Sequence, residues 1–180
     1  EVLQLTAEQA RTWTDFNQRF ATVDISNVAS PENLTTQAGL ARARATIEQY
    51  KAWLAERRAL QQMNNADFER MVRAHPFSVS ARARDRFDVA TKAWIKLDMT
   101  QTDLADALTA VFDWGVSQRG TLGTRDGQLL FSTPAQKEAL KGLVAKLNEA
   151  EHRQNEALKV TGKIPATGRE SIQDPGHPLL

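Results

Sequence analysis

Apolar residues recur along this chain at intervals of three and four, with polar residues filling the gaps. That pattern predicts helices rather than strands. The clearest run is Ala83, Phe87, Ala90, Trp94, Leu97, Gln101, Leu104, Leu108 and Val111, in which steps of four and three alternate throughout. A period of 3.5 residues marks long helices that pack at shallow angles. It predicts a single helix over about 81–118, capped by Ser78 or Ser80 and roughly 57 Å long at 1.5 Å per residue.

The rest of the chain reads in the same way. Thr6-Ala7-Glu8-Gln9 has the form of a capping box. The helix it opens carries Trp13, Phe16, Phe20 and Val23 on one face and frays near 24–30. Ser30-Pro31-Glu32 restarts the chain with a hydroxyl cap, a proline in the first turn and an acid beside it. The helix that follows is expected to reach Met63, with Leu40, Ile47 and Leu54 at sevenfold spacing and Ala43 and Tyr50 between them. Asn64-Asn65 reads as its break, and 67–74 as a short separate helix ended by His75-Pro76. Thr133-Pro134 opens a last helix bearing Leu140, Val144, Leu147 and Leu158. These elements define an all-α fold, an elongated antiparallel bundle of about four main helices. Residues 1–160 form one domain in this reading, and 161–180, rich in glycine and proline, an irregular C-terminal tail.

The stretch RGTLGTRDGQLLFSTPAQ, residues 119–136, interrupts the helical pattern. Gly115 and Gly120 can end a helix, and Asp126-Gly127 is a two-residue hairpin signal. The flanks 120–122 and 128–131 are expected to pair as short strands between the last two long helices. A phosphate-binding loop does not fit, because no Gly-Lys-Ser/Thr follows Gly120 and no strand precedes it. Arg119, Arg125, Asp126 and Gln128 at this tip are candidate partner-binding residues, since loops on rigid scaffolds carry recognition.

Composition narrows the functional classes. The chain has 180 residues, and its 23 basic and 22 acidic side chains leave a net charge of +1. A nucleic-acid binder ordinarily shows a clear basic excess, so no nucleic-acid partner is expected. Cysteine is absent, which removes disulfides, thiol catalysis and the usual structural zinc sites. No apolar run approaches the length of a membrane span. The opening Glu1-Val2-Leu3, without methionine, is the expectation for a processed or trimmed chain.

Candidate chemistry is sparse. Glu149-Ala150-Glu151-His152 contains a Glu-x-x-His step, with Glu149 and His152 on one face, as in half of a di-iron bundle site. The matching second motif is missing, since His75 follows Val72 at that spacing. Haem ligation would need His152 to face Met63, Met71 or Met99, residues read instead as core filler. No cofactor is therefore expected. Arg82 and Arg86 share a helix face and form a candidate basic face for anionic headgroups or an acidic protein. Arg42, Arg44, Arg57 and Arg58 read as further solvated clusters, and the four tryptophans as core. Gln101 breaks the apolar seam, as a single buried amide does when it fixes helix register.

The segments FDWGVSQRGTLGTRDGQLLFSTPAQ and LTAEQARTWTDF resemble a family of uncharacterised bacterial envelope lipoproteins, helical domains of unknown function. The likeness covers residues 3–16 and 104–157 and rests on Gln118-Arg119-Gly120, Asp126-Gly127, Phe131 and Ser132-Thr133. It implies a periplasm-facing location and a lipid anchor upstream of residue 1, and it supplies no catalytic residues. The expected function is a non-enzymatic protein that binds a protein partner or the envelope surface. Alternatives are an immunity or inhibitor protein that uses the 119–128 tip against a toxin, a metal- or haem-binding bundle, and a cytoplasmic adaptor or secretion chaperone.

Overall fold

The computed structural model describes residues 23–74 and 80–161, apart from the Ala83 side chain, together with Thr12, Asp15, Phe16, Gln18 and Arg19. The capping box at Thr6, Trp13, Phe20, His75 and the tail from 162 onward lie outside the described residues. Within them the chain forms α1 (Pro31–Thr35), α2 (Gln37–Ala74), α3 (Ala81–Ser117), β1 (Leu122–Arg125), β2 (Gln128–Phe131) and α4 (Pro134–Thr161). The fold is all-α, with one antiparallel hairpin between the last two long helices.

The seam in α3 explains its position. Leu97, Gln101, Leu104, Leu108 and Val111 are buried, and α3 packs on α2 along one side and on α4 along the other. Leu40, Ala43, Ile47, Tyr50 and Leu54 of α2 close the same core. Leu140, Leu147 and Ala150 of α4 and Leu34 of α1 join it, with Phe16 and Val28 from the N-terminal segment.

Two helix boundaries differ from the sequence reading. The restart at Ser30 yields only five helical residues before Thr36 turns extended. Thr36 serves both sides of this break: its hydroxyl donates to the Glu32 carbonyl at 3.0 Å and accepts from the Gly39 amide at 2.9 Å. It thus closes α1 and caps α2. Gly39 fits the corner because it has no Cβ, which at that place would meet the Glu32 oxygen at 2.4 Å. The second difference is at Asn64-Asn65, where α2 continues without a break to Ala74. The Gln61 amide donates to the Asn65 side-chain oxygen at 3.0 Å. Beyond it, Phe68 stacks on Phe87 of α3 with ring centroids 3.8 Å apart. This tertiary contact overrides a weak local preference.

The core is uneven along α2 and α3. Among the described residues no apolar side chain of α2 past Leu54, and none of α3 before Leu97, is buried. Asp103 pairs with Arg153, so Thr161, eight residues further along the antiparallel α4, comes level with about residue 95 of α3. Beyond that level, among the described elements, α2 and α3 continue as a two-helix arm. Met63, read from sequence as core filler, is 51% exposed there, and Met99, read in the same way, is 63% exposed on α3 just short of that level.

Candidate functional site

The hairpin tip is built from its base upward. Gly120, at φ 81°, ends the run out of α3. Leu122 pairs with Phe131 and Arg125 with Gln128, two residues later in strand β1 than the sequence spacing suggested. Asp126 and Gly127 take φ 51° and 74°, the left-handed pair that a type I′ turn requires. A glutamine network locks the base. Gln136 Oε1 accepts from the Ser132 and Thr133 amides at 2.8 and 3.0 Å, while its Nε2 donates to Gln118 Oε1 and Thr121 Oγ1. The Ser132 hydroxyl donates to the Thr121 carbonyl across the same base.

The four predicted tip residues separate on this frame. Arg119 donates to Gln37 Oε1 at 3.1 Å and ties the end of α3 to the start of α2. Arg125 and Asp126 stand at the apex, 80% and 93% exposed and 3.8 Å apart. Gln128 is exposed beside them. An ion pair this open adds little to stability, so a partner can engage either group without a large penalty.

Arg82 and Arg86 are both exposed. They project from the first turns of α3, and neither pairs with an acid among the described residues.

The Glu-x-x-His step lies on α4, and its two side chains part company. Glu149 accepts from Arg153 at 2.7 Å and lines an open groove of about 330 Å³ between α3 and α4. Arg153 also reaches Asp103 at 3.4 Å, and Asp106 and Lys146 complete the groove's charged rim. His152 is exposed. Among the described residues no three histidine or carboxylate side chains come together as a metal-ligand set.

A buried polar cluster at the start of the arm was not read from sequence. Arg57, expected in a solvated cluster, is only 5% exposed. Its guanidinium lies 5.1 Å above the Trp53 ring and donates to Asp98 at 3.3 Å. Arg58, on the surface, donates to the other Asp98 oxygen at 2.9 Å and to Thr102. Burial pulls the Arg57 pKa down, and Asp98 opposes that pull. Tyr50 stacks on Trp53 at 6.0 Å, and Phe16 does so at 5.1 Å. Burial pushes the Tyr50 phenol up to about 12, against smaller opposing effects from Arg57 and the Gln154 amide. Gln101 is buried beside the seam as expected, and its Oε1 has no hydrogen-bond partner among the described residues. A sequence signal for Arg57 existed: the four-three series Ala43, Ile47, Tyr50, Leu54 continues to position 57.

This cluster brings together no nucleophile with a base. Its chemistry is that of a largely buried ion pair joining α2 to α3. Compared with known protein families, with characterised proteins and with solved structures, the chain matches none.

Proposed function

We propose that this chain is a non-enzymatic, lipoprotein-like helical protein of the bacterial envelope that holds a protein partner at its hairpin tip. The observation that carries the reading is the Arg125–Gln128 turn, fully presented to solvent on a base locked by Gln136. A rigid support lets such a turn bind with little loss of conformational freedom. Adjacent opposite charges at the apex suit a partner surface with its own paired acid and base. The envelope location rests on the resemblance of 3–16 and 104–157, and no described helix is long and apolar enough to cross a membrane.

A photo-crosslinking side chain at Arg125 or Gln128, introduced in cells, tests the tip. A discrete adduct at both positions, absent when the probe replaces Lys137 on α4, is the expected result. No adduct at either tip position overturns it. The location is tested by the gene sequence ahead of Glu1: an export segment ending at a lipidatable cysteine supports it, and a leaderless start contradicts it.

A further inference from the structure

The outward face of α3 carries a second four-three series, Asp88, Lys92, Ile95, Met99, Thr102 and Asp106, opposite the buried seam. Its middle is apolar and uncovered, with Ile95 and Met99 55% and 63% exposed. Its flanks are charged and opposite in sign. Lys92 and Lys96 lie seven and three residues before Met99, and Asp103 and Asp106 lie four and seven after it. Among the described residues Lys92 and Lys96 have no ion-pair partner, while Asp103 and Asp106 reach only the exposed Arg153 and Lys51.

We infer that this face binds a second copy of the chain, with two α3 helices crossing antiparallel about a two-fold axis at Met99. A two-fold interface must be self-complementary, and this charge order is so in one orientation alone. Antiparallel, Lys92 and Lys96 of one copy meet Asp106 and Asp103 of the other, Met99 meets Met99, and Ile95 rests on the turn at Thr102. Parallel, each lysine meets a lysine and each aspartate an aspartate. With Asp88 counted, the face carries three aspartates against two lysines, so it has no basic excess to hold an anionic lipid surface. The contact spans about four helical turns, a small interface, so it forms in a concentration- and salt-dependent manner. This inference does not depend on the hairpin tip.

Sedimentation velocity from roughly 1 µM to 1 mM covers the range in which such an interface assembles. The expected result is a monomer–dimer equilibrium weakened by salt. Lys92→Asp with Lys96→Asp weakens it by about tenfold or more, as does Met99→Glu. Adding Asp103→Lys and Asp106→Lys to the double-lysine variant restores association to within about threefold of the original. Helical content by circular dichroism confirms that each variant is folded, and all of these positions are surface-exposed. A monomer at every concentration overturns the inference, as does a dimer indifferent to Met99→Glu or a charge swap that fails to restore pairing. A monomer that instead sediments with anionic phospholipid vesicles overturns it and assigns the face to a lipid surface.

Discussion

Around Leu104 and Val111, α3 is enclosed by α1, α2 and α4; around Phe87 the same helix meets α2 alone among the described elements. Both stretches follow one sequence period, but they have different neighbours. At the enclosed end the period is filled by leucine and valine exposed by 2% or less at Leu104, Leu108 and Val111. In the arm the same positions hold Phe87, Ala90 and Trp94, which stay half-buried. A 3.5-residue pattern therefore says where helices touch, and the number of helices meeting there decides how much apolar surface leaves water. The arm exposes Met63 and Val89 for the same reason.

The sharpest way to break the comparison is at the boundary between the two regions. Asp98→Ala leaves Arg57 buried without its carboxylate and is expected to lower stability by about 3 kcal/mol, read by urea denaturation. Replacing both residues with apolar ones, Arg57→Met with Asp98→Leu, is expected to recover most of that loss. If the single and double replacements are equally damaging, the pair is not what aligns the arm with the enclosed end.

Core truncation comes next. Leu104→Ala is expected to cost about 3 kcal/mol, because the cavity it leaves is walled by several helices. Val89→Ala in the arm removes an already exposed side chain and is expected to change stability by less than about 0.5 kcal/mol. Equal effects would mean that the arm is as tightly packed as the rest.

Tyr50 gives a smaller, pH-dependent effect. It is the chain's single tyrosine, so the phenolate absorbance of the whole protein reports it alone. The folded protein is expected to titrate near 12, as burial dictates, and the unfolded chain near the ordinary 10. Below pH 10 the phenol is neutral in both states and its contribution is complete. As pH rises from 10 toward 12 only the unfolded chain ionises, and roughly 2–3 kcal/mol of stability is lost. A folded-state midpoint near 10 would place Tyr50 in contact with water.

Much of this architecture is legible in the residues themselves. The period in α3, the Thr133-Pro134 start and the Asp126-Gly127 turn each express a local preference that packing reinforces. What is not legible depends on distant partners. Asn64-Asn65 reads as a break because asparagine favours turns, yet Phe68 stacked on Phe87 carries the helix through. Thr36 and Gly39 form a corner only because α1 folds back close enough to exclude a Cβ. Arg57 and Arg58 are adjacent and chemically alike; the first lies on the seam and is buried, and the second lies one step off it and reaches water. The Glu149–His152 spacing shows a shared face, but only the fold reveals that Arg153 claims the carboxylate. The hairpin tip was visible as a turn, whereas its locking by Gln136 required the third partner, Gln118, across the end of α3.

Amide hydrogen exchange along α3, followed residue by residue, tests the uneven construction most directly. Amides at 103–112 are expected to exchange only through global unfolding, while those at 84–94 open locally and exchange at least about a hundredfold faster. Equal protection along the whole helix would contradict it.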